Sequence, residues 1–211
     1  MSTQSDHALR GADALVRALA LAGVKKIFTL SGNHIMPVFD AAFEAGIELI
    51  HTRHEAATVH MADAFARITG EVGIALVTGG PGHANAISAL YTAQMAESPV
   101  VLLSGHAPLS QLGKGAFQEM RQAELAAPMC KASTTCMSAD QIAADIARAI
   151  SLARSGRPGP MHLSLPTDVL EALTAPAQTH RPTALPRSSS RRAHRSANSD
   201  APGRDARIGQ G

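Results

Sequence analysis

Apolar residues recur along residues 1–173 in two alternating patterns. Segments with an apolar residue every three or four positions predict amphipathic helices, and short aliphatic runs between them predict buried strands. The helical segments are residues 6–22, 36–46, 55–69, 84–95 and 139–153. The strand segments are residues 24–30, 47–51, 72–77, 99–103 and 159–165. This alternation predicts an α/β fold: a doubly wound, mainly parallel sheet of five or six strands with helices on both faces.

Three loops of the predicted fold follow strands at the same edge of the sheet. They are residues 31–34, 52–55 and 78–85. Ligands of doubly wound folds bind at the carboxyl ends of the strands, where such loops gather. The pattern therefore indicates these three loops as candidates for a functional site.

The composition changes at residue 174. Residues 174–211 contain seven arginines and two aspartates, and their only large aliphatic residues are Leu185 and Ile208. Such a segment buries too little apolar surface to offset its chain entropy, so we expect a disordered Arg/Ser/Pro-rich tail after one domain of residues 1–173. A basic tail can contact RNA or acidic lipid, although a solvated tail without a role is the favoured interpretation. The abrupt change also suggests a truncated or frame-shifted gene product.

The composition argues against several classes of protein. Five phenylalanines, one tyrosine and no tryptophan are too few aromatic residues for a nucleic-acid stacking surface. No run of apolar residues is long enough to span a membrane, and residues 1–10 are too polar for a secretion signal. Cys130 and Cys136 form neither a disulfide framework nor a zinc pattern, which favours a cytoplasmic location.

Two known sequence motifs are present only in part, because each lacks one required residue. The Gly-Pro-Gly sequence at residues 80–82 is similar to a dinucleotide-binding fingerprint, but Asn85 stands where the third glycine is needed. The pair His54-Glu55 is similar to the start of a zinc-protease motif, but Thr58 stands where the second histidine is needed. We therefore predict neither a nicotinamide site nor any metal ligands in this chain.

A longer series of motifs is complete and in order. It comprises Thr52-Arg53-His54-Glu55-Ala56-Ala57, residues 62–67, Gly70, residues 79–82 with Asn85, residues 97–101 and Phe117-Gln118-Glu119. Over residues 8–172 this series resembles the N-terminal pyrimidine-binding (PYR) domain of the thiamine diphosphate enzymes related to acetolactate synthase. Within that family, residues 32–35, residues 52–57 and Gln118 look most like benzaldehyde lyase. Ala132 departs from the pattern, since the relatives commonly carry tryptophan there.

The resemblance implies that Glu55 is the catalytic, cofactor-binding glutamate. Thiamine diphosphate reacts through its thiazolium C2 carbanion, and the family's glutamate hydrogen-bonds N1′ of the aminopyrimidine so that the 4′-nitrogen can accept the C2 proton. Proton transfer requires such groups at hydrogen-bond distance. The alternative is that Glu55 only complements a helix N-terminus, a contribution of about 0.3–1 kcal/mol.

The resemblance also implies a cofactor-binding turn. Glycine removes the Cβ obstacle to close approach, so the turn brings backbone near the pyrimidine ring. The residues concerned are Gly79, Gly80, Pro81, Gly82 and Asn85. A plain tight turn, followed by an ordinary polar residue at a helix start, is the alternative. His34 and Gln118 match positions that face the substrate in lyase-like members, the alternative for His34 being a loop histidine without a task.

The motifs for the other end of the cofactor are missing from the sequence. In the family, a separate C-terminal domain holds the diphosphate and Mg²⁺ through a Gly-Asp-Gly motif and a downstream asparagine. We therefore expect this chain to bind only the pyrimidine end, and Mg²⁺ only together with a diphosphate-binding domain. The resemblance leads us to expect that partner on another chain or in a missing C-terminal part, in a homo- or hetero-oligomer.

Three hypotheses about function follow. The first is a truncated, inactive fragment of a C–C lyase or carboligase that acts on 2-keto acids or acyloins. The second is an authentic PYR subunit of a two-chain thiamine diphosphate decarboxylase. The third is a non-catalytic interaction domain.

Overall fold

A computed structural model describes residues 8–174 of the protein. The strands are β1 (Lys26–Thr29), β2 (Glu48–His51), β3 (Gly73–Val77), β4 (Val100–His106), β5 (Ala132–Thr135) and β6 (Met161–Pro166). The helices are α1 (Gly11–Leu21), α2 (Met36–Glu44), α3 (Glu55–Thr69), α4 (Pro81–Met95), α5 (Gln122–Ala126), α6 (Ala139–Arg154) and α7 (Thr167–Glu171). Short 3₁₀ turns are Asn33–Ile35, Leu109–Gln111 and Ala127–Met129.

The six strands form one sheet in the order β2-β1-β3-β4-β6-β5. Every neighbouring pair in this sheet is parallel. Strand order reverses between β1 and β3, as in doubly wound folds, because the chain winds first towards one edge and then towards the other. The predicted α/β fold is thereby confirmed.

Each face of the sheet is covered by its own apolar layer. Ile74 and Leu76 of β3 join the core under α1, α2 and α6, whereas Ala75 and Val77 join the core under α3 and α4. This division follows from the strand geometry, since successive side chains point to opposite faces. All five residues of β3 are buried, as its unbroken aliphatic sequence predicts.

The helix that follows β2 has the predicted limits. His54 is its N-terminal capping residue, and its Nδ1 accepts a hydrogen bond from the Ala56 amide at 3.1 Å. Gly70 ends the helix with φ +73°, a left-handed conformation that glycine adopts without strain. Local sequence signals therefore position Glu55 as the first residue of α3.

Three predicted boundaries are wrong. Helix α1 begins at Gly11 rather than residue 6, because Arg10 is extended and bridges Leu173. Helix α4 begins at Pro81 rather than residue 84, since proline's fixed φ suits the first helical turn. Strand β4 continues to His106, three residues beyond the predicted end.

Strand β5 was not predicted. Its sequence Ala-Ser-Thr-Thr lacks the aliphatic run of the central strands, and among the described strands it pairs only with β6, at the edge of the sheet. Edge strands tolerate polar side chains because one of their sides is not covered by another strand.

The two ends of the described chain contact each other near the predicted end of the domain. The Thr174 amide donates to the Leu9 carbonyl at 2.7 Å, so the one described residue of the tail segment contacts the domain. The boundary at residue 173 stays a prediction, and residues 175–211 lie outside the described residues. None of the helices between residues 8 and 174 is long and apolar enough to cross a membrane.

Candidate functional site

The three loops singled out in the sequence meet at the carboxyl edge of the sheet. A Cβ on Gly32, in the first loop, would lie 2.4 Å from Cβ of Thr78, in the third. A Cβ on Gly82, in the third loop, would lie 3.2 Å from Oε1 of Glu55, at the end of the second. Glycine at positions 32 and 82 therefore permits the loops to approach this closely.

Glu55 is half-buried and faces the start of α4. Its Oε2 accepts a hydrogen bond from Asn85 Nδ2 at 3.0 Å, and its Oε1 lies beside Gly82. A side chain at position 82 would collide with Thr78 Cγ2 at 2.7 Å as well as pressing on the carboxylate. The carboxylate is thus partly exposed and lies between Asn85 and the Gly82 backbone.

The segment Gly79–Gly82, hereafter the glycine turn, has no room for side chains at three of its positions. Gly80 has φ +58° and ψ −116°, which disfavour any residue but glycine. A Cβ on Gly79 would lie 2.6 Å from the Gly105 carbonyl oxygen, and one on Gly80 would lie 2.8 Å from Gln118 Cβ. The turn is therefore tightly packed against β4 and against the loop that carries Gln118.

Gln118 lies directly against the glycine turn and has an unusual backbone. Its φ of +57° is in the left-handed region, which side-chain-bearing residues seldom occupy. The neighbouring Glu119 carboxylate accepts hydrogen bonds from the Gly113 and Ala116 amides, and these bonds hold its pKa below the ordinary value. The loop that carries Gln118 is therefore held both by hydrogen bonds within the loop and by its contact with the glycine turn.

His34 is 3% exposed and joins the same group of residues. Its Nδ1 lies 3.3 Å from Thr78 Oγ1, and its ring stacks on Phe117 with centroids 5.9 Å apart. Burial lowers the pKa of His34, so its imidazole is neutral at neutral pH. The structure therefore brings together all the site residues predicted from the sequence.

Gln122 is a buried contact of the glycine turn that sequence reasoning missed. The side chain is 1% exposed, and its Oε1 accepts a hydrogen bond from the Gly80 amide at 2.8 Å. Its Nε2 lies 3.1 Å from both the Gly105 carbonyl oxygen and Ser164 Oγ. Only the polar character of residue 122, next to the Phe117-Gln118-Glu119 motif, hinted at this contact.

Two fully buried histidines, also missed, lie near the turn. The rings of His83 and His162 have centroids 4.6 Å apart, and their Nδ1 atoms bond the hydroxyl groups of Ser104 and Ser133, each at 2.8 Å. Burial lowers the pKa of His83 to about 4 and that of His162 well below its ordinary value. Both rings are therefore neutral components of the core at neutral pH.

Within residues 8–174, no group of three or more His, Cys, Asp or Glu side chains is arranged to hold a metal ion. The prediction that this chain supplies no metal ligands stays a prediction for the whole sequence.

The fold and the site together define a ligand-binding domain of the doubly wound α/β class, with a carboxylate facing a glycine turn. Residues 9–125 match the family model described as "Thiamine pyrophosphate enzyme, N-terminal TPP binding domain". The chain belongs to this family, whose cofactor is thiamine diphosphate, also called thiamine pyrophosphate. The resemblance inferred from the ordered motifs is confirmed.

Curated relatives are similar to the same part of the chain. The acetolactate synthase isozyme 3 large subunit of Escherichia coli (strain K12) is 44% identical over 163 residues, covering 77% of this chain and 28% of the relative. The 2-hydroxyacyl-CoA lyase 2 of Danio rerio is 40% identical over 168 residues, covering 80% and 27%. The human 2-hydroxyacyl-CoA lyase 2 is 42% identical over 160 residues, covering 76% and 25%. The chain spans about a quarter of the length of these relatives.

Proposed function

We propose that this chain binds the aminopyrimidine end of thiamine diphosphate, with Glu55 hydrogen-bonded to the ring nitrogen N1′. When bound, the cofactor supplies a thiazolium carbon that forms and breaks carbon–carbon bonds. Glu55 would hold the proton shared with N1′, which requires a separation of roughly 2.6–3.2 Å. The observation that carries this proposal is the Glu55 carboxylate beside a glycine turn whose backbone a side chain would obstruct.

The contacts of Glu55 favour this role over that of a helix-terminal charge. The Ala56 amide in the first turn of α3 is bound by His54 Nδ1. The Glu55 carboxylate reaches Asn85 of α4 instead. Asn85 would fix the carboxylate's orientation through Oε2 and leave Oε1 directed to the side of the turn.

The glycine turn would approach the ring with its backbone, because Gly79, Gly80 and Gly82 add no side chains there. His34, neutral at neutral pH, and Gln118 would face the substrate and form hydrogen bonds with it. Of the two, only the His34 imidazole would also exchange a proton with the substrate. Phe117 covers the His34 ring and would exclude water from it.

The proposed parent reaction is a C–C lyase or carboligase reaction of the acetolactate synthase and benzaldehyde lyase type, on 2-keto acids or acyloins. The diphosphate and Mg²⁺ would be held by a partner domain, on another chain or in a C-terminal part, within a cytoplasmic oligomer. Exposed apolar side chains on α3 and α4, among them Ile68, Tyr91 and Met95, are consistent with such a partner. Alone, the chain would bind the cofactor weakly and catalyse nothing measurable.

The test is an NMR titration of the ¹⁵N-labelled full chain with thiamine. We expect saturable shifts of the Gly79, Gly80 and Gly82 amides, and an affinity that falls at least about tenfold in Glu55→Gln, equivalent to roughly 1.4 kcal/mol. Glu71→Gln, a change of an exposed glutamate just beyond α3, is the matched control. Shifts that Glu55→Gln leaves unchanged, or no saturable shifts in the wild type, would contradict the proposal.

A second titration, with thiamine diphosphate and Mg²⁺, tests whether the chain binds only the pyrimidine end. We expect the same affinity as for thiamine, because the described residues offer no group of metal ligands. A much tighter complex that depends on Mg²⁺ would contradict this part of the proposal.

A further inference from the structure

We propose that Gln122 is a positioning residue for the pyrimidine-binding site, acting through the glycine turn that it bonds. The inference rests on the proposed function, because it concerns how that site keeps its shape. Gln122 does not contact Glu55 in the described hydrogen bonds; it binds the turn that Glu55 faces.

The Gln122 side chain joins three separate elements at one buried point. It accepts from the Gly80 amide, which precedes α4, and it donates to the Gly105 carbonyl of β4 and to Ser164 Oγ of β6. Three of the four hydrogen bonds available to an amide side chain are therefore made. The glycine turn is thereby fixed to two neighbouring strands of the sheet.

The position of Gly80 makes this attachment consequential. Its backbone is in a conformation that only glycine tolerates. Without Gln122, the buried Gly80 amide would lose its hydrogen-bond partner, and this conformation would no longer be stabilised by that bond. Gly82, two residues further on, sets the space beside the Glu55 carboxylate. A shift of the turn by a fraction of an ångström would change that space, and binding sites are sensitive to displacements of this size.

Gln118 and Gln122 restrain the same residue through different atoms. Gln118 packs its Cβ and backbone against the Cα side of Gly80, whereas Gln122 binds the Gly80 amide. Gln118 is partly exposed and Gln122 is buried. This difference assigns Gln118 to the side open to ligands and Gln122 to the supporting structure.

The first experiment compares Gln122→Met with the wild type in the thiamine titration. Methionine keeps the side chain's length but cannot bond the Gly80 amide, so we expect a shifted Gly80 resonance and at least tenfold weaker thiamine binding. Ser98→Ala is the control, because Ser98 Oγ also makes a buried side-chain hydrogen bond, before the amino end of β4. The control is expected to change the affinity by less than twofold.

The second experiment uses Gln122→Glu and does not depend on the methionine variant folding. A neutral carboxylic acid can accept from the Gly80 amide and donate to the Gly105 carbonyl as glutamine does, whereas a carboxylate cannot donate. Burial favours the neutral form, so binding relative to wild type should recover at about pH 5.5 and fall at about pH 8. Wild type is measured at each pH as the reference, because His83, His106, His162 and Glu55 are also ionisable groups near this site.

The outcomes separate this inference from the proposed function. If Glu55→Gln weakens binding but Gln122→Met binds thiamine like wild type, the positioning role is wrong and the proposed function stands. A loss in Gln122→Met no larger than in Ser98→Ala, or a Gln122→Glu affinity ratio that does not vary with pH, also overturns the positioning role. If neither Glu55→Gln nor Gln122→Met changes thiamine binding, the proposed function is contradicted, and the positioning role of Gln122 is contradicted with it.

Discussion

The two faces of the sheet have different chemistry although the same strands form both. The face under α1, α2 and α6 is apolar along the central strands β4 and β6, for example at Val101 and Leu103 of β4 and Leu163 of β6. On the opposite face, β4 changes from Val100 and Leu102 to Ser104 and His106 as it approaches its carboxyl end. Buried polar groups are thus concentrated where the glycine turn and Glu55 lie.

This difference indicates a division of tasks. The apolar face supplies stability through burial, since each fully buried large aliphatic side chain contributes about 1.5–3 kcal/mol. The polar end of the other face gives up part of that contribution and gains directional hydrogen bonds, such as those of Gln122 and His83, which hold a loop in one geometry. Substitutions on the two faces should therefore have separable effects.

The largest expected effect on stability comes from the apolar face. Ile146→Ala in α6 removes a fully buried side chain far from the glycine turn. We expect a loss of about 2–5 kcal/mol in the free energy of unfolding, measured by denaturant titration, with thiamine binding unchanged in the molecules that remain folded. An affinity loss in the folded fraction would show that the two faces are not separable.

On the polar face, Gly82→Ala should remove thiamine binding at a smaller cost in stability. The new Cβ would lie 2.7 Å from Thr78 Cγ2 and 3.2 Å from Glu55 Oε1, so we expect about 1–3 kcal/mol of destabilisation and displacement of the carboxylate. Gly159→Ala is the control, because its new Cβ would meet only the flexible Lys131 side chain. Equal thiamine affinity in the two variants would argue against a close approach at Gly82.

The buried histidines make the polar face sensitive to acid. The pKa of His83 is about 4 in the folded protein and about 6.5 when exposed, so the unfolded state binds more protons between these values. The contribution of His83 to the free energy of unfolding is therefore fully present above about pH 6.5. It falls as the pH drops towards 4, at up to about 1.4 kcal/mol per pH unit. His83→Gln should reduce this slope in denaturant titrations at several pH values; an unchanged slope would mean that other groups cause it.

The smallest expected effect is that of Asn85→Ala. The variant loses the Nδ2 donor that holds Glu55 Oε2, but the partly exposed carboxylate can bond water instead. A two- to fivefold weaker thiamine affinity is expected, consistent with about 0.5–1 kcal/mol for one such hydrogen bond. A loss as large as that of Glu55→Gln would give Asn85 a more direct role than orienting the carboxylate.

The apolar pattern predicted the main elements, because buried strands and amphipathic helices have distinct periods. It also identified the three loops that meet at the carboxyl edge, and local capping signals placed Glu55 at the start of α3. The polar strand β5 was missed because its position at the edge of the sheet depends on pairing with β6, which its own sequence does not encode.

The supporting part of the site was less predictable. Gln122 begins a five-residue helix with no clear periodicity, and its partner Gly80 lies 42 positions earlier in the chain. The contact between His83 and His162 likewise depends on the order of strands in the sheet. The resemblance to a family identified residues that match known motifs, but it said nothing about the buried groups that hold them.

The most direct test of the central claim follows the pyrimidine nitrogen itself. Thiamine labelled with ¹⁵N at N1′ is titrated with the wild-type chain and with Glu55→Gln, and the nitrogen's chemical shift is recorded. A hydrogen bond in which Glu55 shares its carboxyl proton with N1′ predicts a large shift in the wild-type complex that is lost in the variant. The same N1′ shift in both complexes would contradict the account.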